Sequence, residues 1–543
     1  MPIDPLSERS IVPMKRWVAE CDTNHTNCKL GQPLLPTRVL DVENSQNIRL
    51  CETGGRPGAY IALSHCWGLS DKTFITTHDT IENMKAGFAI EQAPATFRDA
   101  NFITRLFGFR YLWIDSLCII QHDVVDWRRE AARMGSVYAK AHLTVAAASA
   151  KDDNDGFLQR RIHAMTSLRI TSSKGKSTQL YLQTKDDGIK QRRDNTEEPL
   201  DARGWALQEQ RLSRRSLRFG STEMSWDCQA CSLHEAGPIY SDAPRTPMEL
   251  LKPYSTVSGP CSYSSWYEVV TLFTERLLTY DTDKLPALWG LATEVARFQR
   301  GRYYAGLWGE DMASGMLWFR GHIAELKKPS QYLAPSWSWA SLNGRTIIYE
   351  DQAPKITLTD VVFGECCLEC ATGNRYGTIK SGWLDLSAPV VKLVQQEAPA
   401  RWGVEGEGLD MALGFARLDV PNIEMNDHRD EFDQLRFRRS TKGNFETRGI
   451  FDLAHKDGTE IFGLLLAFSH NGAESSEENG SRRRRRSAQE DLSCCSSLYG
   501  ILVEYSKKRL AYKRVGYFRA MRLEDGEALQ ILEGTEVQDI RLY

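Results

Sequence analysis

Two short apolar runs that stop abruptly in polar residues constrain this chain most. Tyr60-Ile61-Ala62-Leu63 ends at Ser64-His65, and Tyr111-Leu112-Trp113-Ile114 ends at Asp115-Ser116. Runs of this length with polar bounds predict strands buried on both faces, as in a parallel sheet. Leu143–Ser149 has the same character. Between these runs, Phe97, Ala100, Ile103 and Leu106 recur at helical spacing within Thr96–Leu106. Trp127, Ala131, Met134, Tyr138 and Ala141 do so within Asp126–Ala141, with Asp126 as the expected N-cap. Strands alternating with helices predict βαβ units. Ligands of open α/β sheets bind beyond the carboxyl ends of the strands. Ser64, His65, Trp67, Asp115 and Ser116 therefore stand where chemistry is expected.

The chain has 543 residues, and at roughly 150 residues per domain this predicts two to four domains. A net charge of −3 gives no global field toward nucleic acid or a membrane surface. No apolar run approaches the ~20 residues that span a bilayer, and Phe462–Phe468 is only of strand length. MPIDPLSERS lacks the basic-then-apolar pattern of a signal peptide. The expectation is a soluble, cytoplasmic protein. Its 13 cysteines, odd in number and set in apolar runs, read as reduced thiols rather than a disulfide framework.

Composition divides the chain further. Residues 1–50 form an N-terminal helical and loop segment, and residues 51–235 hold the strand–helix alternation. A polar insertion falls at 150–200, with Lys174-Gly175-Lys176 and the charged run Lys185–Glu198. Residues 236–334 read as mainly helical and rich in Trp and Tyr. Residues 335–543 read as β-rich, with short runs such as KITLTDVVF, WLDLSA and YGILVEY. Asn471–Ser497 is a Ser/Glu/Gly/Arg tract expected to be disordered. Its Arg482–Arg486 run could act as a nuclear import signal, but a solvated linker charge run is the simpler reading.

YIALSHCWG at Tyr60–Gly68, YLWIDSLCIIQ at Tyr111–Gln121 and RGWALQEQRLSRR at Arg203–Arg215 together resemble the fungal heterokaryon-incompatibility (HET) domain. The resemblance extends over roughly residues 15–345 and is densest between Tyr60 and Gly220. It implies a TIR-like α/β fold, a parallel sheet sandwiched by helices, here with insertions. It also implies cell-death signalling in non-self recognition, a form of innate immunity. Some TIR domains cleave NAD+, so the resemblance implies NAD+ as substrate, with no resident cofactor. It further implies a homo-oligomer or an incompatibility partner protein.

Glu209 is the expected catalytic carboxylate. It follows Trp205 by four residues, so the two share a helix face, and Arg203 lies just before. By resemblance, NAD+-cleaving TIR enzymes carry a Glu one turn after a Trp, following the third strand of the sheet. Cleaving the nicotinamide–ribose bond builds positive charge on the ribose, which a carboxylate stabilises. Arg203 would position Glu209 or a phosphate, with Ser64, His65, Trp67, Asp115 and Ser116 lining the pocket. The plain alternative for Glu209 is a surface residue paired with Arg211 or Arg215. Glu130, three residues after Trp127, is the rival glutamate. It precedes the third strand and sits beside an apolar stripe, so it reads as structural.

Two weaker signals concern metal. Cys21, His25 and Cys28 fall at i, i+4 and i+7, and zinc would accept them with Cys51 or a carboxylate as fourth ligand. Cys228–Cys231 is a CxxC with His234 nearby. Three ligands without a clear fourth usually remain plain thiols, so no metal is expected. The phosphate-loop, HExxH and GxSxG patterns are not matched. A non-catalytic signalling scaffold is the competing function.

Overall fold

A computed structural model describes residues 4–44, 46–68, 74–161, 165–171, 177–183, 198–235, 263–299, 301–320, 326–344, 346–348, 356–358, 360–371, 377–395, 416–418, 446–451, 461–470, 495–521, 532 and 535–543. They fall into two compact units. One comprises residues 1–261, 276–278 and 287–298, the other 262–275, 279–286 and 299–543.

The first unit is built on a mixed sheet. Its strands are β1 (Arg38–Asp41), β2 (Asn47–Glu52), β3 (Tyr60–Ser64), β4 (Phe88–Ala89), β5 (Tyr111–Trp113) and β6 (Leu143–Ala146). β7 (Met165–Thr171) and β8 (Ser177–Gln183) pair only with each other, and β9 (Arg215–Phe219), β10 (Met224–Cys228) and β11 (Ser232–His234) complete the sheet. The strand order is β11-β10-β9-β6-β3-β5-β1-β2-β4.

The expected parallel sheet is the centre of this larger one. β3 runs parallel to β5 and β6, and β6 runs parallel to β9. All five residues of β3 and all four of β6 are buried, as the unbroken apolar runs require. The flanks correct the expectation. β1 pairs antiparallel with β2 and β5, and β10 pairs antiparallel with β9 and β11. The links within β1–β2 and β9–β10 are far shorter than the dozen residues a crossover needs, so those strands must turn back. Counted among themselves, the four parallel strands lie in the order 2-1-3-4, which reverses between β3 and β6. In doubly wound sheets, such a switch point opens a crevice beyond the carboxyl ends.

The helices are α1 (Glu8–Asn24), α2 (Ile81–Ala86), α3 (Ala95–Leu106), α4 (Asp115–Cys118), α5 (Val124–Ala131), α6 (Met134–Lys140) and α7 (Gly204–Leu212). α3 matches the expected helix and buries Phe97, Ala100 and Ile103. The helix expected over 126–141 is two helices, α5 and α6. Its N-cap is Asp123, whose side chain accepts from the N–H groups of Val125 and Asp126 at 2.8 and 3.1 Å. Ala131, Met134, Tyr138 and Ala141 of the expected stripe are buried, but Trp127 is only half-buried, because α5 turns Asp126 and Glu130 inward. The reason is charge. Asp126 pairs with buried Arg38 of β1, and Arg38 Nε donates to Cys118 O at 2.8 Å. Glu130 accepts from Thr37 Oγ1 at 3.1 Å and from Arg129 Nε at 2.9 Å.

The second unit carries helices Tyr263–Thr274 and Met312–Gly315 and a β-rich sheet. Ile461–His470, Cys495–Ser506, Ala511–Met521, Glu536–Leu542 and Ile379–Gln395 pair in turn. Ile379–Gln395 also pairs with Ile461–His470, so these strands close into a ring. The β-type runs of the C-terminal sequence thus supply strands. Closure removes the exposed edges that would otherwise pair with other chains. Lys174-Gly175-Lys176 and Arg482–Arg486 lie outside the described residues. Among the described residues, no helix is long and apolar enough to cross a membrane.

Candidate functional site

The site grows from the carboxyl ends of β3 and β5. β3 ends at Ser64, and His65, Cys66 and Trp67 continue the chain past the sheet. β5 ends at Trp113, and Asp115 opens α4 one residue after Ile114. α7 follows β6 in the chain and returns across these ends. Its approach is close because the facing residues are small: Ala146, Ala148 and Ala206 pack with Leu200 in one apolar cluster, against which Cys66 rests. Arg203 is fixed from behind, since Arg276 Nη1 donates to Arg203 O at 3.2 Å and Gly204 N donates to Leu277 O at 2.8 Å.

The side chains then meet. Ser64 Oγ donates to Glu209 Oε2 at 2.5 Å. Arg203 lies between the carboxylates. Its Nη1 is 3.4 Å from Glu209 Oε1 and its Nη2 is 3.0 Å from Asp115 Oδ2. The same Nη1 donates to His65 O at 2.6 Å. Trp67 Nε1 donates to Asp115 at 3.0 Å, and Ser116 N does so at 2.8 Å. His65 stands between two acids, with Nε2 3.0 Å from Asp153 Oδ1 and Nδ1 3.8 Å from Asp115 Oδ1. Tyr138 Oη donates to Leu63 O at 3.0 Å, which ties α6 to β3 beneath the cluster.

Burial sets the electrostatics. Ser64, His65, Ser116 and Glu209 are 0 % exposed, whereas the Arg203 side chain keeps 21 %. Trp67 and Cys66 are half-buried, so the open side of the cluster is formed by Trp67, Cys66 and Arg203. Burial raises the Glu209 pKa, with the charge of Asp115 adding to it against Arg203 and the Ser64 hydrogen bond. Asp115 goes the other way. Burial would raise it too, but Arg203 and His65 together outweigh that and hold it below the usual carboxylate range. Burial pushes the Cys66 thiol up to about 11, so it is no ready nucleophile.

The sequence-predicted residues Ser64, His65, Trp67, Asp115, Ser116, Arg203 and Glu209 thus occupy one cluster. Trp205, on the same helix as Glu209, is half-buried and packs against the main core of the sheet. Glu209 is not a surface residue. Arg211 is buried with it on α7, and Arg215 belongs to β9. Glu130 stands apart in the Arg38–Asp126 cluster of α5. Asp153 was missed, since it falls where an insertion was expected to begin. The loop that carries it is ordered by α3: Thr96 N donates to Asp153 O at 2.9 Å, and Phe157 N and Leu158 N donate to Asp99 Oδ2 at 2.8 and 3.0 Å. The turn-rich string DDNDG was the available signal.

The metal candidates also change partners. α1 ends at Asn24, so Cys21, His25 and Cys28 do not lie along one continuous helix; a 3₁₀ turn over Thr26–Cys28 folds them back together. Their fourth neighbour is Cys228 of β10 rather than Cys51.

Residues 60–209 match the family described as Heterokaryon incompatibility protein (HET). The match opens on the first residue of β3 and closes on Glu209, so it contains every member of the cluster. It points to a role in heterokaryon incompatibility. No curated protein and no solved structure matches the chain.

Proposed function

We propose that this HET-domain chain is a cell-death effector of heterokaryon incompatibility that hydrolyses NAD+ to nicotinamide and ADP-ribose. One observation carries the reading: Ser64, Asp115, Arg203 and Glu209 converge at the switch point of the parallel strands, where doubly wound sheets bind ligands. The charge balance supports it. The cluster sets three acidic side chains, Glu209, Asp115 and Asp153, against two basic ones, Arg203 and His65. A site of that sign favours the cationic nicotinamide ring and the positive ribose that follows. In the reaction the bond from nicotinamide N1 to ribose C1′ breaks, and its electron pair leaves with nicotinamide. Water adds to C1′ and gives up a proton. Glu209 stabilises the cation, and Arg203 holds Glu209 in place.

A second reading rests on enclosure. Glu209, Ser64 and His65 are all 0 % exposed, so a nucleotide reaches them only if the Trp67 and Arg203 side opens. If it does not, the cluster is a rigid polar core beneath a surface that binds an incompatibility partner or a second copy in the cytoplasm.

Purified full-length protein incubated with NAD+, with nicotinamide followed by chromatography, separates the two. Release supports hydrolysis. Cell killing on expression with no nicotinamide release and no fall in cellular NAD+ supports the scaffold instead.

A further inference from the structure

Outside the matched segment, four metal-ligating side chains from two stretches of chain converge. Cys21 lies on the last turn of α1, His25 follows its end, Cys28 closes the 3₁₀ turn, and Cys228 ends β10. Their ligand atoms all lie within 4.8 Å of one another. His25 Nδ1 is 3.4 Å from Cys228 Sγ. A tetrahedral zinc with bonds of about 2.3 Å to sulfur sets its ligand atoms about 3.8 Å apart. A contraction of at most about 1 Å across the widest pair would therefore seat the ion.

We infer that Cys21, His25, Cys28 and Cys228 form a structural Cys₃His zinc site that fastens α1 to β10 of the sheet. The ligand set is soft, which selects zinc over magnesium or calcium. Four protein ligands leave no open position, so the site is structural rather than catalytic. The outer shell fits as well. Three thiolates and a neutral imidazole around Zn²⁺ carry one net negative charge. Arg215, 2 % exposed, meets that charge by donating from Nε to Cys21 Sγ at 3.2 Å. Ala230 N donates to Cys228 Sγ at 3.4 Å. The local backbone is preset for the geometry: His25 N donates to Cys21 O at 3.2 Å, Cys28 N to His25 O at 3.1 Å and Cys228 N to Cys231 O at 2.9 Å. Cys231 Sγ, 3.7 Å from Cys228 Sγ, lies outside the ligand set.

The test uses the full chain, purified and dialysed against metal-free buffer, with metal measured by mass spectrometry and free thiols by mass mapping. The expected result is about one zinc per chain. Replacement by Co²⁺ should give the intense visible bands of a tetrahedral thiolate site, and a strong zinc chelator should lower the melting temperature. Cys228→Ser and His25→Ala should lose the metal, while Cys231→Ser and Cys51→Ser keep it. If the ligand variants do not fold, the zinc content and cobalt spectrum of the wild type decide. Folded wild type without zinc, or a disulfide among Cys21, Cys28 and Cys228, overturns the site. Loss of zinc in Cys231→Ser with retention in His25→Ala overturns the ligand set.

Discussion

Ser64, the last residue of β3, donates its hydroxyl hydrogen to Glu209 on α7 at 2.5 Å, across 145 residues of chain. The middle of α7 is thereby locked to the carboxyl end of the first parallel strand. Removing the charge while keeping the shape tests what that lock is for. Glu209→Gln still accepts from Ser64, so the protein should fold and bind NAD+. Nicotinamide release should fall on the order of 10²–10³-fold, the usual effect of losing one transition-state electrostatic partner. Unchanged release in folded Glu209→Gln would falsify the assignment.

Arg203 pairs with both Glu209 and Asp115. Arg203→Met leaves two buried carboxylates facing each other. Breaking a buried pair costs about 3–5 kcal/mol. Because the Arg203 side chain is 21 % exposed, the lower end applies here. Adding Glu209→Gln to Arg203→Met should recover at least about 1 kcal/mol, since the two changes act on one network. Urea titration of the four species of the cycle measures this. Strict additivity would mean that Arg203 does not restrain Glu209.

On α5 the charged face outranks the aromatic one. Trp127 is half-buried, so Trp127→Ala should cost about 1–2 kcal/mol. Arg38→Met leaves Asp126, 3 % exposed, with only the part-exposed Arg129 as counter-ion and should cost about 3 kcal/mol. Thermal unfolding of the two variants in one buffer gives the order directly. Glu130→Gln should leave any nicotinamide release intact.

Gly68 has φ +82°, and a Cβ there would lie 2.3 Å from Asp152 Cβ and 3.3 Å from its Cα. The loop holding Asp153 against His65 is therefore seated directly on Gly68. Gly68→Ala should cost well over the roughly 1–2 kcal/mol of left-handed strain alone. Gly54→Ala is the comparator, at φ +59° with nothing within 4 Å. Equal melting temperatures for the two variants would show that the contact with Asp152 is slack.

Lys284 in the second unit is 5 % exposed, and burial lowers its pKa to about 7. It donates to Leu342 O and lies 5.5 Å from the Trp339 ring centroid. The unfolded chain holds this proton up to its ordinary value of about 10.4. The unfolded state thus binds more protons between about pH 7 and 10.4, and stability should rise with pH through that window. It should be fully gained above the upper limit and lost as pH falls through 7. Lys284→Met removes this pH dependence. The difference in stability between wild type and Lys284→Met should grow by a few kcal/mol from pH 10 to pH 7. A difference that stays flat over this range would show that Lys284 keeps its charge when buried.

Local chemistry accounts for part of the fold on its own. Apolar runs buried on both faces could only be central strands, so β3, β5 and β6 were legible, as was α3 from its spacing. Polar residues placed just past those strands made Ser64, His65 and Asp115 candidates. Tertiary structure decided what depends on pairing across the chain. Period counting makes Trp127 a core residue, yet a buried arginine on β1 turned α5 so that Asp126 and Glu130 face inward. Asp153 reached His65 only because α3 holds its loop. Cys228 met Cys21 and Cys28 because β10 turns back beside α1. No spacing encodes such meetings, since they arise from which strand edges are free and which buried charges need a partner.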